Sequence, residues 1–241
     1  MDEFDFHRAL ARPGTIVDIG AHDGALTRRL ATIPGARVIA FEPLPAAFAR
    51  LRQALAGAEN VTQRAEALGA CAGTVTLAVP VVGGVAQEQW ASTAKDYAAI
   101  QVADPRVTGV ERHEVPMLAL DDLGLQDVTA LKLDAEGAEE EILRGGAATL
   151  GRCRPVLSVE IEERHRVGST TAVPAYLAGL GYRGFWEFWG DWRPIEAFDP
   201  AAMQVGSPSP AAFEVSDPYV FTFYFVPPER MAELGALARL P

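Results

Sequence analysis

Cysteine is nearly absent from the sequence: Cys71 and Cys153 are the only two in 241 residues, and they form no CxxC pair. That excludes a disulfide scaffold and a cysteine-ligated structural zinc site, and it suits a reducing compartment. Cationic charge is scarce as well. Lysine and arginine total 21 against 32 aspartates and glutamates, a formal net charge of -11 at pH 7. Nucleic acids and anionic membranes are bound through clustered cations, so neither is an expected partner, whereas a cationic small ligand is. No apolar run reaches the roughly 20 residues of a bilayer-spanning helix. The longest, 75–82 and 219–226, have the length of buried strands. The opening MDEFDFHRAL has neither the basic nor the continuous apolar segment of a secretory leader, which predicts a cytoplasmic protein. No internal repeat, low-complexity tract or clear linker interrupts the chain. What is there, 49% apolar and 22% charged residues, is the composition of an ordinary globular protein, and the length predicts a single α/β domain over 1–241.

Short β-branched runs alternate with helical stretches, the pattern of repeated βα units and a mostly parallel sheet with helices on both faces. Strands are expected at 15–19, 37–41, 61–65, 74–80, near 113–118, and at 130–133, 156–161, 182–188 and 219–226, the last two pairing antiparallel. Helices are expected at 24–32, 45–56, 138–143 and 172–180. In the second, Phe48, Leu51 and Leu55 recur at i, i+3 and i+7, with Pro45 at its start. Residues 81–105 read as irregular, and 190–217 as a long loop.

Thr15-Ile-Val-Asp-Ile-Gly-Ala-His-Asp-Gly24 is an apolar strand running into a small-residue turn and then a helix. In an open parallel sheet, ligands bind at the carboxyl ends of the strands, where glycine lets the backbone approach them. A dinucleotide turn needs GxGxxG so that helix amides meet a pyrophosphate, but counted from Gly20 those positions hold His22 and Ala25. Asp18 and Asp23 would repel a diphosphate, and they suit the ammonium and sulfonium of S-adenosylmethionine. Glu42, in Phe41-Glu42-Pro43, follows Gly20 at about the 20-residue interval of an acid that accepts both ribose hydroxyls. That diol is common to NAD and S-adenosylmethionine, so the turn decides between them and Glu42 does not.

Lys132-Leu-Asp134-Ala-Glu136-Gly137-Ala-Glu139 ends another apolar strand. Alternation puts Lys132 and Asp134 on one side, and Gly137 lets Glu136 bend toward the sheet edge that carries Asp18 and Glu42. Glu160, on the next strand, joins from the side. Asp134, Glu136 and Glu160 are the carboxylates expected to act in catalysis. Three together raise the pKa of at least one, readying it to take a hydroxyl proton; alternatively they hold a divalent metal, which this set permits and does not require. Glu139, Glu140 and Glu141 read as acids favoured at a helix N-terminus. Glu162, Glu163 and His165 read as a solvated run. Trp186, Trp189 and Trp192 read first as core and second as a stacking surface for a sugar, and both cysteines as small buried hydrophobes.

Taken in order, VDIGAHDG at 17–24, AFEP at 40–43, AEALGACAGTVTL at 65–77, VPMLALDDL at 115–123, LKLDAEGAEEEILRGG at 131–146 and PVLSVEI at 155–161 resemble the FkbM-type methyltransferases, which use S-adenosylmethionine. The resemblance defines a motif-bearing core, 14–163, and leaves 164–241 as a C-terminal part expected to hold acceptor-binding elements. It implies a Rossmann-like methyltransferase sheet, mostly parallel with an antiparallel C-terminal strand. It also implies methyl transfer to a hydroxyl of a sugar, polyketide or other small natural product, with S-adenosylhomocysteine as product. Carried over by motif, Asp18, Gly20 and Ala21 line the methionine part, Glu42 the ribose and the Glu66–Ala67 turn the adenine. His22 and Gly24 complete the loop, although His22 departs from glycine-rich methyltransferase loops in general. Asp134 would touch the cofactor too, and 83–97, with Trp90, Ser92, Thr93 and Lys95, lies where the resemblance suggests an acceptor loop. Two other readings stand beside this one: a non-catalytic S-adenosylmethionine-binding module, and a nucleotide-dependent oxidoreductase on the same fold, opposed by the broken GxGxxG. The acceptor's identity and the oligomeric state, a homo-oligomer included, are not written in the sequence.

Overall fold

The computed structural model describes residues 2–206 and 215–235, so 207–214 of the expected loop lie outside the described residues. Asp2 caps α1 (Glu3–Leu10) by accepting from Asp5 N at 2.7 Å. This helix has no counterpart among the expected elements, since its buried Phe6, His7 and Leu10 give too brief a period to register. Two βα units follow as β1 (Gly14–Ile19), α2 (Ala25–Leu30), β2 (Ala36–Phe41), α3 (Pro45–Ala54) and β3 (Val61–Arg64). The chain then leaves for a second layer: β4 (Ala67–Gly69), β5 (Gly73–Val82), β6 (Val85–Ala86), α4 (Tyr97–Ala103) and β7 (Val107–Ala119). It returns through β8 (Val128–Leu133), α5 (Glu139–Gly145), α6 (Ala147–Cys153), β9 (Val156–Glu160), α7 (Ser169–Gly179), β10 (Arg183–Phe188) and β11 (Asp191–Pro194). The remaining elements are α8 (Pro200–Met203), β12 (Gln204–Gly206), β13 (Val215–Tyr219), β14 (Thr222–Val226) and α9 (Met231–Gly235).

The principal sheet is 8-stranded, in the order β11-β10-β14-β9-β8-β1-β2-β3. Strands β9, β8, β1, β2 and β3 run parallel, and β14 lies antiparallel between β9 and β10. This is the expected α/β class, a mostly parallel sheet with an antiparallel C-terminal strand. The chain winds outward from β1 in one direction through β2 and β3, and from β8 in the other through β9. The crevice at the carboxyl ends of β1 and β8 is therefore the topological switch point, where open α/β sheets bind ligands.

Five expectations need correction. Residues 81–105 are not merely irregular, and the strand near 113–118 is the end of the much longer β7, which pairs antiparallel with β5 from Gly73↔Met117 to Val82↔Val107 in a four-stranded sheet ordered β4-β7-β5-β6. Its half-exposed, charge-bearing pattern hides it from a search for apolar runs. The segment 190–217 is largely structured where described, and the run 219–226 is two strands, β13 turning away to pair with β12 while β14 joins the main sheet. Cys71 is exposed and Cys153 half-buried, so the first is no core residue.

Alternation along the strands sorts two cores onto the two faces of the main sheet. Val17, Leu131, Leu157, Trp186 and Phe223 pack on one, and Ile16, Ala130, Val156, Trp192 and Tyr224 on the other, under Phe6 and Leu10 of α1. The core reading thus holds for Trp186 and Trp192, while Trp189, in the β10–β11 turn, is 88% exposed and stacks on Phe188. No helix among the described residues is long and apolar enough to cross a membrane.

Toward the carboxyl edge the face under α1 turns polar. In register across it stand Asp18 on β1, Lys132 on β8 and Ser158 on β9, with His7 Nε2 2.7 Å from Ser158 Oγ. Removing one partner of a buried charge network leaves the others uncompensated, so Lys132→Met is expected to lose about 3–5 kcal/mol in denaturant unfolding; a loss under about 1 kcal/mol would contradict a buried counter-ion. Burial, and then Lys132, pull the His7 pKa from 6.5 to about 3. Below pH 6.5 the unfolded chain takes up a proton that the folded chain refuses, so stability falls as pH drops from about 6.5 toward 3. This group contributes up to about 1.4 kcal/mol per pH unit. Urea melts between pH 6.5 and 5 are expected to show a shallower acid dependence for His7→Gln; parallel slopes for the two proteins would refute the assignment.

Candidate active site

Gly20 has φ +77°, and a Cβ built there would stand 1.9 Å from the Asp134 carbonyl oxygen, so only glycine lets the ends of β1 and β8 meet. The turn is held from two sides. Phe41 O accepts from Gly20 N (3.0 Å) and Ala21 N (2.9 Å), and Lys132 Nζ donates to Gly20 O (2.7 Å) and Ile19 O (3.2 Å). That ammonium lies 3.7 Å from Asp18 Oδ1 and 3.6 Å from Asp134 Oδ2. Burial favours the neutral amine, but Asp134, Asp18, Glu3 and Glu160 outweigh it and keep Lys132 charged. Asp18 is wholly buried: Oδ2 accepts from Thr27 Oγ1 at 2.6 Å, while Oδ1 has no hydrogen-bond partner among the described residues. It lies beneath the turn.

Glu42 ties the turn to the end of β2, its Oε2 accepting from His22 N and its Oε1 from Leu44 N, each at 2.9 Å. Burial raises its pKa against the pull of those two amides. It lines a cleft together with Gly20, His22, Glu66, Ala67, Asp134 and Glu136. Phe41, Leu68 and Leu77 give the cleft an apolar wall. Glu66 is fixed by Arg64 Nε at 3.1 Å, and Ala67 is the first residue of β4, so the expected turn is the point where the chain enters the second sheet. From above, Ala91 and Thr93 of the segment after β6 also line the cleft.

At the far end, Asp134 is one-third exposed (33%), and Glu136 adopts φ 53° before Gly137 at φ 107°. This turn is braced from α5: Glu139 Oε1 accepts from Ala135 N (3.1 Å) and Gly137 N (3.0 Å). Glu139 is therefore no surface acid favouring a helix terminus; it is buried, and burial raises its pKa to about 7 against those bonds. Ser92 Oγ donates to Glu136 O at 2.6 Å and Lys95 Nζ to Glu136 Oε2 at 2.5 Å. Burial raises Glu136 to about 7; Lys95 opposes the rise, and Asp134 and Glu162 add to it.

Behind Glu136 lies a second polar cluster. The solvated run expected at 162–165 is buried there at Glu162 and His165, because Gln204 and Tyr219 roof it: Gln204 Nε2 donates to Ile161 O at 2.6 Å, and Tyr219 Oη to Glu162 Oε2. Arg164 grips Glu162 with Nε (2.6 Å) and Nη2 (2.9 Å). Burial would raise Glu162, but Arg164 and His165 hold it low, whereas burial, Asp134 and its hydrogen-bonded neighbour Glu162 hold Glu160 well above the usual range. His165 Nε2 is 3.1 Å from both Glu136 Oε2 and Glu162 Oε1. Burial, and then Lys95, depress the imidazole to about 3.

Of the expected site residues, Gly20, His22, Glu42, Glu66, Ala67, Asp134 and Glu136 share one cleft. Asp18 and Ala21 are buried and do not line it, Ala21 packing against Ala40, Leu51 and Leu55; Gly24 lies behind, opening α2 at φ +80° with the space for its Cβ taken by Leu51 Cδ1 at 2.8 Å. Glu160 belongs to the second cluster. Lys132 and Glu139 carry the site without having been singled out for it; the Lys132/Asp134 alternation was the one signal for the first.

A sequence profile of the family described as Methyltransferase FkbM domain matches residues 18–183. The structure of methyltransferase FkbM from Methylobacillus flagellatus has 16% identity and a TM-score of 0.55, covering 92% of this chain and 50% of that one, so this chain spans half that relative's length. Also similar are an rRNA methylase from Streptococcus thermophilus (12% identity, TM-score 0.45, 93% of this chain and 92% of that one) and the O-methyltransferase TomG from Streptomyces achromogenes. The latter, involved in tomaymycin synthesis and crystallised with S-adenosylmethionine, has 14% identity and a TM-score of 0.46 over 93% of this chain and 77% of its own. No curated protein matches the chain. The fold is that of the Rossmann-like methyltransferases, and since the matched span runs from Asp18 under the glycine turn past the second acidic cluster, the chain belongs to the FkbM methyltransferase family.

Proposed function

We propose that this chain is an S-adenosylmethionine-dependent O-methyltransferase acting on a hydroxyl of a small acceptor, sugars and polyketides being the fitting class, and not on nucleic acid. The observation that carries the reading is the cleft at the switch point, with Glu42 at its middle and Asp134 and Glu136 at its end. Its residues fit the cofactor. The Gly20 turn brings backbone close without a side chain, each Glu42 oxygen has a lone pair beyond the amide it already accepts from, and the apolar wall suits a purine. The acidic end suits an ammonium and a sulfonium, and a net charge of -11 disfavours a polyphosphate acceptor. Bound there, S-adenosylmethionine supplies an electrophilic methyl group.

The chain's own part is alignment and proton removal. Asp134 is the carboxylate most open to the cleft, and Lys132 fixes its position; Asp134 would take the hydroxyl proton as the acceptor oxygen bonds to the methyl carbon and that carbon's bond to sulfur breaks, leaving S-adenosylhomocysteine. Glu136 borders the acceptor end, with Glu160 behind it in the second cluster. Ser92 and Lys95 hold Glu136 there, which gives the 83–97 segment its place in acceptor binding.

Calorimetry with S-adenosylmethionine tests the first half. Glu42→Ala is expected to weaken binding about 10- to 100-fold, the worth of one or two hydrogen bonds to a charged group, with Glu42→Gln intermediate; unchanged affinity in both would remove Glu42 from the ribose. Turnover on a panel of hydroxylated acceptors tests the second half. Asp134→Asn is expected to lower kcat by about 10²-fold or more while cofactor affinity stays within a few-fold. Full turnover in the variant would discard Asp134 as the base, and a wild-type protein that binds the cofactor but methylates nothing would favour the non-catalytic module.

A further inference from the structure

The cluster behind Glu136 holds an unresolved charge arrangement. His165 is buried, its side chain 3% exposed, yet Nε2 has no hydrogen-bond partner among the described residues. Glu136 Oε2 and Glu162 Oε1 are each 3.1 Å away, close enough to bond but off the N–H direction. An imidazole nitrogen beside carboxylate oxygens needs either an aligned N–H or a cation between it and them, and no aligned N–H bond is formed here. The two side-chain cations nearby are already used: Lys95 on Glu136, and Arg164 on Glu162. Glu160 is hydrogen-bonded to another carboxyl, Glu162.

The spacing approaches that of a coordination sphere, and small side-chain rotations would close it around an ion. Two ligand atoms at adjacent positions on a six-coordinate ion, with bonds of about 2.1 Å, are about 3.0 Å apart, and opposite ones about 4.2 Å. His165 Nε2 and Glu136 Oε2 are 3.1 Å apart, and one ligand atom from each of Glu136, Glu160 and His165 falls within 4.8 Å of the others. The donor set is one imidazole with two carboxylates and no thiolate. Carboxylates alone would suit magnesium or calcium, and thiolates copper(I) or structural zinc; one imidazole with carboxylates suits a divalent first-row ion, manganese, iron and zinc included.

We propose that Glu136, Glu160 and His165 form a binding site for a divalent first-row transition-metal ion, with Glu162 at its edge. Lys95 shares Glu136 with it and competes for the same oxygen. Because Glu136 also lines the cleft, an ion here borders the acceptor end, where an acceptor oxygen would complete its coordination. That use rests on the methyltransferase reading; the site itself does not.

The test uses the whole chain, stripped with EDTA and titrated with MnCl₂ in the absence of cofactor and acceptor, free Mn²⁺ being read by its paramagnetic resonance signal. One saturable equivalent is expected, weakened about tenfold or more in His165→Gln and in Glu160→Gln, with circular dichroism verifying the fold. In the wild-type protein, substoichiometric Mn²⁺ is expected to broaden the ring NMR signals of His165 ahead of those of His7, His22 and His113. Absence of saturable binding, equal binding in both variants, or broadening at other histidines alone would overturn the site. S-adenosylmethionine calorimetry on the same metal-free protein reports on the proposed function separately, so each reading can fail without the other.

Discussion

A buried ammonium holds this site together. Lys132 projects from β8 between Asp18 and Asp134 and donates to the carbonyls of Ile19 and Gly20. An acidic glycine turn is otherwise self-repelling, with carboxylates gathered at the carboxyl ends of adjacent parallel strands, where carbonyl oxygens also project. One cation placed among them offsets both. Its placement follows from strand periodicity: two residues separate Lys132 from Asp134, so both lie on one face, and the β1–β8 register sets Lys132 beside Asp18. The α1 helix closes the same face with Phe6 and His7, so an element that does not line the cleft shields the charge that supports it.

The other half of the cleft is made by the second sheet. Main-sheet strands supply Gly20, Glu42 and Asp134 by ending there, but Glu136 sits one turn beyond its strand and needs external support. That support comes from Ser92 and Lys95, carried on the segment that β5 holds through a bridge between Ala78 and Ser92. Two of the non-glycine residues at positive φ, His22 and Glu136, lie on the two sides of the cleft. Both are fixed through their backbone, His22 N donating to Glu42 and Glu136 O accepting from Ser92 Oγ, so the uncommon conformation is stabilised by the contacts that define the site.

Legibility in the sequence tracked the physics of each element. Central strands such as β1, β8 and β9 are buried on both faces and read as continuous apolar runs, so the parallel sheet and its glycine turn were plain. Strand β7 is half-exposed and carries Arg112 and Glu114, which masks it. Glu139, Glu162 and His165 look like solvated charge because sequence shows residue type and not the partners that make burial tolerable. Those partners are backbone amides 2 and 4 residues away for Glu139, and Arg164, Tyr219 and Gln204 for the 162–165 segment. Long-range roofing by residues around 203–220 has no local signature. The tryptophans separate for the same reason: equal spacing puts Trp186 and Trp192 on opposite buried faces, while the turn between them leaves Trp189 outside.

The two ends of the cleft are built on different principles. At the Glu42 end, ligand-facing geometry is dictated by backbone: Gly20, the Phe41 carbonyl and the amides of His22 and Leu44 leave little that a substitution could adjust without disturbing β1 or β2. At the Glu136 end it is dictated by side chains on four separate segments, held by Lys95, Arg164, Tyr219 and Gln204 and replaceable one at a time. A backbone-built pocket suits a ligand that stays the same, and a side-chain-built one suits a ligand that differs from protein to protein. That division follows from which groups make the contacts: backbone of β1 and β2 at one end, and side chains brought together from separate segments at the other.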